Sequence, residues 1–251
     1  MADSQPSYRT LAPGQRCQVW ISDLDGQTRL VYETDETLFE APNWGPDGRL
    51  LINGNGLLWD LPAAGGEPTA IPTEFLPAVN NDHVLSPDGQ TIYASAMDWH
   101  IHAVPRDGGQ ATRISLDDGR LHFLHGISPD GTALAYIAIS PDGDKAWGHA
   151  NVRLLAVDSS WDIPLTDSAS PDDGSEFSLD GQWVYFNTEM FTTKPGHAQI
   201  ARVSLDGSDL QRLTHDDQVD WFPHLSPNDT HAVYISFPEG TTGHPADKPV
   251  Q

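Results

Sequence analysis

The sequence predicts an all-β protein, a β-propeller of four-stranded antiparallel blades, from a repeated turn, the strand pattern beside it and the lack of helical periodicity. The turns are Gly45-Pro46-Asp47-Gly48, Ser86-Pro87-Asp88-Gly89, Ser128-Pro129-Asp130-Gly131, Ser178-Leu179-Asp180-Gly181 and Ser226-Pro227-Asn228-Asp229, with second positions 41, 42, 50 and 48 residues apart. Proline sets φ, and glycine accepts φ > 0. Each turn leads into a short alternating or apolar run, "RLLING", "TIYASA", "TALAYIA", "QWVYFNT" and "THAVYIS", which reads as a strand.

A second half-repeat follows four of these runs: "LLWDLPAAGGEPTAIP", "IHAVPRDGGQATRISL", "VRLLAVDSSWDIPLTD" and "QIARVSLDGSDLQRLT". Each pairs a strand with a polar turn and another strand, so the unit is four strands in about 40 to 50 residues. No segment keeps a 3.6-residue apolar period for three turns, and 22 Gly with 20 Pro punctuate the chain too often for long helices. "CQVWISDLDGQTRLVYET" matches only the second half of a unit and "LSPNDTHAVYISFPEG" only the first. The count is therefore five blades, with the N- and C-terminal strands sharing one; an open or truncated six-bladed propeller is the alternative. We expect residues 1–251 to form one domain, with 1–16 a loosely ordered arm.

Composition narrows the function. Eight Trp within 38% hydrophobic residues supply a core. The 36 acidic residues outnumber the 13 basic ones and give a net charge of −23, the reverse of a nucleic-acid-binding footprint. Aspartate supplies 28 of those acids, many of them in turns. Cys17, the single cysteine, cannot form an internal disulfide and reads as a buried thiol. No apolar run reaches the length of a membrane span. "MADSQPSYRT" lacks the basic and apolar regions of a leader, so the expected location is cytoplasmic as written, or periplasmic if a leader was removed.

The Ser-Pro-Asp-Gly turns followed by aromatic-rich strands resemble the TolB-like, or WD-like, bacterial propellers from about Pro42 to Lys248. "NNDHVLSPDG", "HGISPDG", "DDGSEFSLDGQWVYFN", "WFPHLSPN" and "GTTGHPADK" resemble a stand-alone subgroup without the TolB N-terminal domain. That subgroup usually has six blades. More distantly the chain resembles the propeller of oligogalacturonate lyases.

In a propeller the first strand of each blade lines the central channel, and the residues just before the turn belong to it. His83 and His125 stand four positions before the second turn position, and Glu176 and His224 stand three before it, as Asn43 does. The two groups face opposite ways unless a bulge intervenes. Imidazoles with a carboxylate suit a divalent metal, so His83, His125, Glu176 and His224 are the candidate ligands of manganese, zinc or calcium. Asp82, Asp173 and His244 are expected around them, and Trp221, with Trp99 and Trp147, could stack on a sugar. His100 and His102 read as a strand face. A scaffold role, capping backbone groups or bridging water, is the alternative for His83 and His125.

The function expected is binding of a small polar ligand, a sugar or peptide, or of a protein partner at the channel mouth. The alternative is a metal-dependent lyase or hydrolase acting on an acidic oligosaccharide through the channel histidines; this part rests on the resemblance to the lyases. No Gly-x-Ser-x-Gly elbow, P-loop or dinucleotide fingerprint is present.

Overall fold

The repeated turn organises the strands through side chain to backbone hydrogen bonds. At Ser86 the hydroxyl donates to the Asp88 carboxylate at 2.6 Å and accepts the N–H groups of Gln90 and Thr91 at 3.1 and 2.9 Å. Gly89 N–H closes the turn on the Ser86 carbonyl at 2.8 Å with φ +71°. The same hydroxyl to carboxylate bond recurs at Ser128 and Ser178, and Ser226 bonds to Asn228 in the last repeat. There Asp229 takes the glycine position at φ +53°, a conformation that Asp tolerates better than most residues.

The computed structural model describes residues 8–142, 145–245 and 248–250. Its strands form the four-stranded antiparallel sheets of a β-propeller, and none of the described residues is helical. No helix there is long and apolar enough to cross a membrane. The chain divides into two compact units, Met1–Arg113 and Ile114–Gln251.

The first unit begins with the two-stranded sheet of β1 (Cys17–Ser22) and β2 (Thr28–Thr34). A complete blade follows: β3 (Glu40–Trp44), β4 (Arg49–Gly54), β5 (Leu57–Pro62) and β6 (Thr69–Ala70). After β7 (Thr73–Glu74) comes a second blade of β8 (Val79–Leu85), β9 (Thr91–Ala96), β10 (Ile101–Pro105) and, beyond β11 (Gly109–Gln110), β12 (Thr112–Arg113). β11 leaves the blade to pair in parallel with β7, a tie between neighbouring repeats that local pattern does not show. Residues 8–16 are anchored: the Tyr8 ring covers Gly56, Arg9 reaches Glu40 at 2.6 Å, and Leu11 packs on the core around Phe39.

The second unit holds the blade β13 (Leu121–Ile127), β14 (Ala133–Asp142), β15 (Lys145–Ala156), β16 (Asp162–Pro164). Next come β17 (Asp172–Phe177), β18 (Trp183–Thr188), β19 (Gln199–Ser204), β20 (Leu210–Arg212), and then the two-stranded sheet of β21 (Val219–Leu225) and β22 (Ala232–Phe237). Four complete blades and three two-stranded sheets, the parallel pair β7–β11 among them, are thus present among the described residues.

Both faces of the middle strands are buried, which accounts for their nearly continuous apolar runs. Ile137, Val152, Phe186 and Val203 build the core of the second unit, and Leu51, Leu58, Ile92 and Val104 one core of the first. Each such side chain stabilises the fold by about 1.5–3 kcal/mol on burial. Cys17 is buried as expected, with Sγ 3.4 Å from the Phe39 carbonyl. His102 is buried and bonded to Asp98 at 2.9 Å, and His100 lies beside Arg113 on the neighbouring strand. His102 lies within β10, in agreement with a strand-face role, whereas His100 precedes that strand.

Candidate functional site

A β-bulge interrupts the first strand of every blade and of the last sheet, between Glu40 and Asn43, Val79 and His83, Leu124 and Gly126, Asp173 and Glu176, and Trp221 and His224. Ala41, Gly174 and Phe222 occupy one position, five residues before the second turn position, with φ of +51°, +62° and +55°. For Ala and Phe this left-handed conformation costs of order 1–3 kcal/mol. Its recurrence shows how the strand is re-aimed before the turn begins.

In the second unit the bulges let β17 offer one carboxylate to each flanking strand. Asp173 Oδ1 lies 2.9 Å from His125 Nε2 of β13, an ion-pair contact without the alignment of a hydrogen bond. Glu176 accepts His224 Nδ1–H from β21 at 2.5 Å and the Leu225 N–H at 3.0 Å. Burial acts to raise the Asp173 pKa, but the close contact with His125, the charges of His125 and His244 and the Gly174 N–H outweigh it and hold it below its ordinary value. Asp173 is therefore ionised beside the imidazole of His125.

Aromatic rings border this pair. Phe222 lies 5.8 Å from the His125 ring, and His244 stands edge-on to both Phe222 and Trp221 at 5.0 Å. The Phe222 N–H is held by Asn187 Oδ1 at 3.1 Å, and a Cβ on Gly174 would come within 3.0 Å of Phe222 Cα. Gly174 thus allows the backbone of Phe222 to approach. Trp221, expected as an exposed stacking ring, is instead buried, with its indole N–H unpartnered. Trp99 is 38% exposed, and the side chain of Trp147 lies outside the described residues.

The first unit places Asp82 and His83 on β8, both buried. Asp82 accepts from Asn80 Nδ2 at 2.7 Å. Asn43 on β3 places Nδ2 3.2 Å from His83 Nδ1 and 3.0 Å from the His83 carbonyl. Burial lowers the His83 pKa to about 4, so the ring is neutral.

Of the expected residues, His125, Asp173, Trp221 and His244 gather with Phe222, while Glu176 and His224 form a second pair. Phe222, Asn187 and Gly174 were not legible as site residues, since only the bulge and the left-handed φ assign them to it. Aligning the repeats by their turns would have marked the shared position of Ala41, Gly174 and Phe222, but not its backbone angle.

Among the described residues, His83, His125, Glu176 and His224 do not bring three ligand atoms together at one point. His125 Nε2 lies against Asp173, and both Glu176 oxygens are engaged by His224 and the Leu225 N–H. The one group of three metal-capable side chains among the described residues, Asp118, His122 and Asp162, lies elsewhere on the blade of β13–β16. Arg120 already holds Asp118 at 2.6 Å, and Arg153 and Tyr136 hold Asp162 at 2.7 Å each. That cluster is an ion-pair network with its cations supplied by arginine.

No family model matches the chain. An uncharacterized protein of Agrobacterium fabrum is 37% identical over 230 residues, covering 89% of this chain and 74% of that one. A solved TolB-like structure from Agrobacterium tumefaciens superposes with a TM-score of 0.80 at 36% identity, covering 89% of this chain and 78% of the other. The chain belongs to the TolB-like β-propeller family. TolB from Acinetobacter baumannii shares this fold at 21% identity and a TM-score of 0.69, with 89% of this chain and 54% of that one aligned. A manganese complex of oligogalacturonate lyase shares it more distantly, at 15% identity and a TM-score of 0.63, covering 92% of this chain and 69% of the lyase. TolB-like membership accounts for the repeated turns and blades, and leaves the ligand to be argued from the side chains.

Proposed function

We propose that this TolB-like propeller binds a small polar ligand, a sugar or a short peptide, free or displayed by a protein partner, at the bulged strands β13, β17 and β21. The His125–Asp173 pair beneath the rings of Phe222 and His244 carries the reading. A small number of oriented polar groups beside aromatic faces is the composition of a site that fixes a polar ring or a peptide unit. His224, oriented by Glu176, leaves Nε2 for a further hydrogen bond at the exposed edge.

The manganese of the distant lyase does not enter this reading. Its use here would need several imidazole lone pairs on one ion, and the candidate histidines do not converge on one point among the described residues.

Saturation-transfer NMR against neutral and acidic monosaccharides, oligosaccharides and tripeptides tests the proposal. Binding that is lost in His125→Ala and in Phe222→Asn supports it. Absence of any binder, or binding unchanged in both folded variants, overturns it.

A further inference from the structure

Asn43 determines which nitrogen of His83 carries the proton. Its Nδ2 lies 3.1 Å from the Ala41 carbonyl, 3.0 Å from the His83 carbonyl and 3.2 Å from His83 Nδ1. The two carbonyls fix the amide orientation, because a flipped Asn43 would bring its own oxygen against both. With an amide NH₂ facing it, Nδ1 must be an acceptor. The proton of the neutral ring therefore sits on Nε2, which is buried and has no hydrogen-bond partner.

An orphaned buried donor costs about 1–3 kcal/mol, a cost that an oxygen acceptor bound beside it would remove. The ring is buried on a bulged first strand. A metal cannot meet the need, since a cation requires a lone pair and Nε2–H has none. An oxygen acceptor can.

We propose that Asn43 and His83 form a donor subsite for a ligand oxygen, a carboxylate or carbonyl, with His83 Nε2–H as the donor and with no part in metal ligation. This assignment stands on β3 and β8 alone and does not depend on the site proposed at β13, β17 and β21. It reverses the role expected from the sequence, where His83 headed the metal set.

Long-range ¹H–¹⁵N NMR of the whole protein labelled at histidine reads the tautomer directly. His83 is expected as a single neutral Nε2–H form between pH 5.5 and 8 (roughly the range in which ordinary histidines titrate). Asn43→Leu should release this form to a mixture. Acetate, the probe for a carboxylate, should move the Nε2–H resonance, whereas Mn²⁺ alone should leave the His83 signals unbroadened. In variants, acetate binding should persist in His83→Gln, which keeps a donor, and weaken about tenfold in His83→Leu, as loss of one hydrogen bond implies. An Nδ1–H tautomer, site-specific broadening by Mn²⁺, or an Nε2–H unmoved by acetate each overturns the proposal. The wild-type spectra decide these points even where a variant fails to fold.

Discussion

Asp173 Oδ1 lies 2.9 Å from His125 Nε2 across two neighbouring first strands, and His125, the charge of His244 and the Gly174 N–H together outweigh the burial that would otherwise raise the carboxyl pKa. Because the folded-state pKa is lowered, the pair adds stability above the ordinary value of 3.8 and loses it as pH falls through the folded value. Asp173→Asn should therefore cost about 1–3 kcal/mol at pH 7. The difference from wild type in urea denaturation should shrink below pH 3.8.

Asp172, one residue earlier, has the opposite sign. Burial raises its pKa to about 6 against the hydrogen bonds of Thr166 and Thr188. The folded chain then holds more protons than the unfolded one between 3.8 and about 6, so stability falls as pH rises through that window. Asp172→Asn should remove this part of the slope, about 2–3 kcal/mol in total. Denaturant midpoints measured from pH 4 to pH 7 would show it; an unchanged slope would assign the dependence to another group.

Phe222 separates backbone strain from ligand contact. Its φ of +55° suits asparagine better than phenylalanine. Phe222→Asn should keep the melting temperature within about 4 °C, since relief of strain offsets the lost ring packing. The same substitution should abolish ligand binding measured by saturation-transfer NMR.

Ser86 tests the scaffold. Its hydroxyl serves Asp88, Gln90 and Thr91 together, so Ser86→Ala leaves two N–H groups and a carboxylate without that partner. The expected loss is about 1–2 kcal/mol in equilibrium unfolding, with the ligand site at β13, β17 and β21 unaffected.

The turns and the strands after them were legible because their chemistry is local. A serine hydroxyl, a turn aspartate and a glycine at positive φ act within five residues, and any repeat of them announces a blade. The parallel pairing of β7 with β11 was not legible, because its two short segments lie in different repeats and carry no alternating pattern.

Histidine addresses were legible as well, and their partners were not. His83 and His125 share a position relative to the turn, yet one lies against Asn43 and the other against Asp173. By itself the sequence determined the propeller fold, the place of each turn and the candidate side chains beside it. Only the tertiary structure decided which carboxylate or amide met each imidazole, because bulges and the left-handed backbone at Ala41, Gly174 and Phe222 rotate the strand before the turn. The partner in turn decides which ring nitrogen holds the proton, and hence whether a histidine offers a lone pair or a hydrogen.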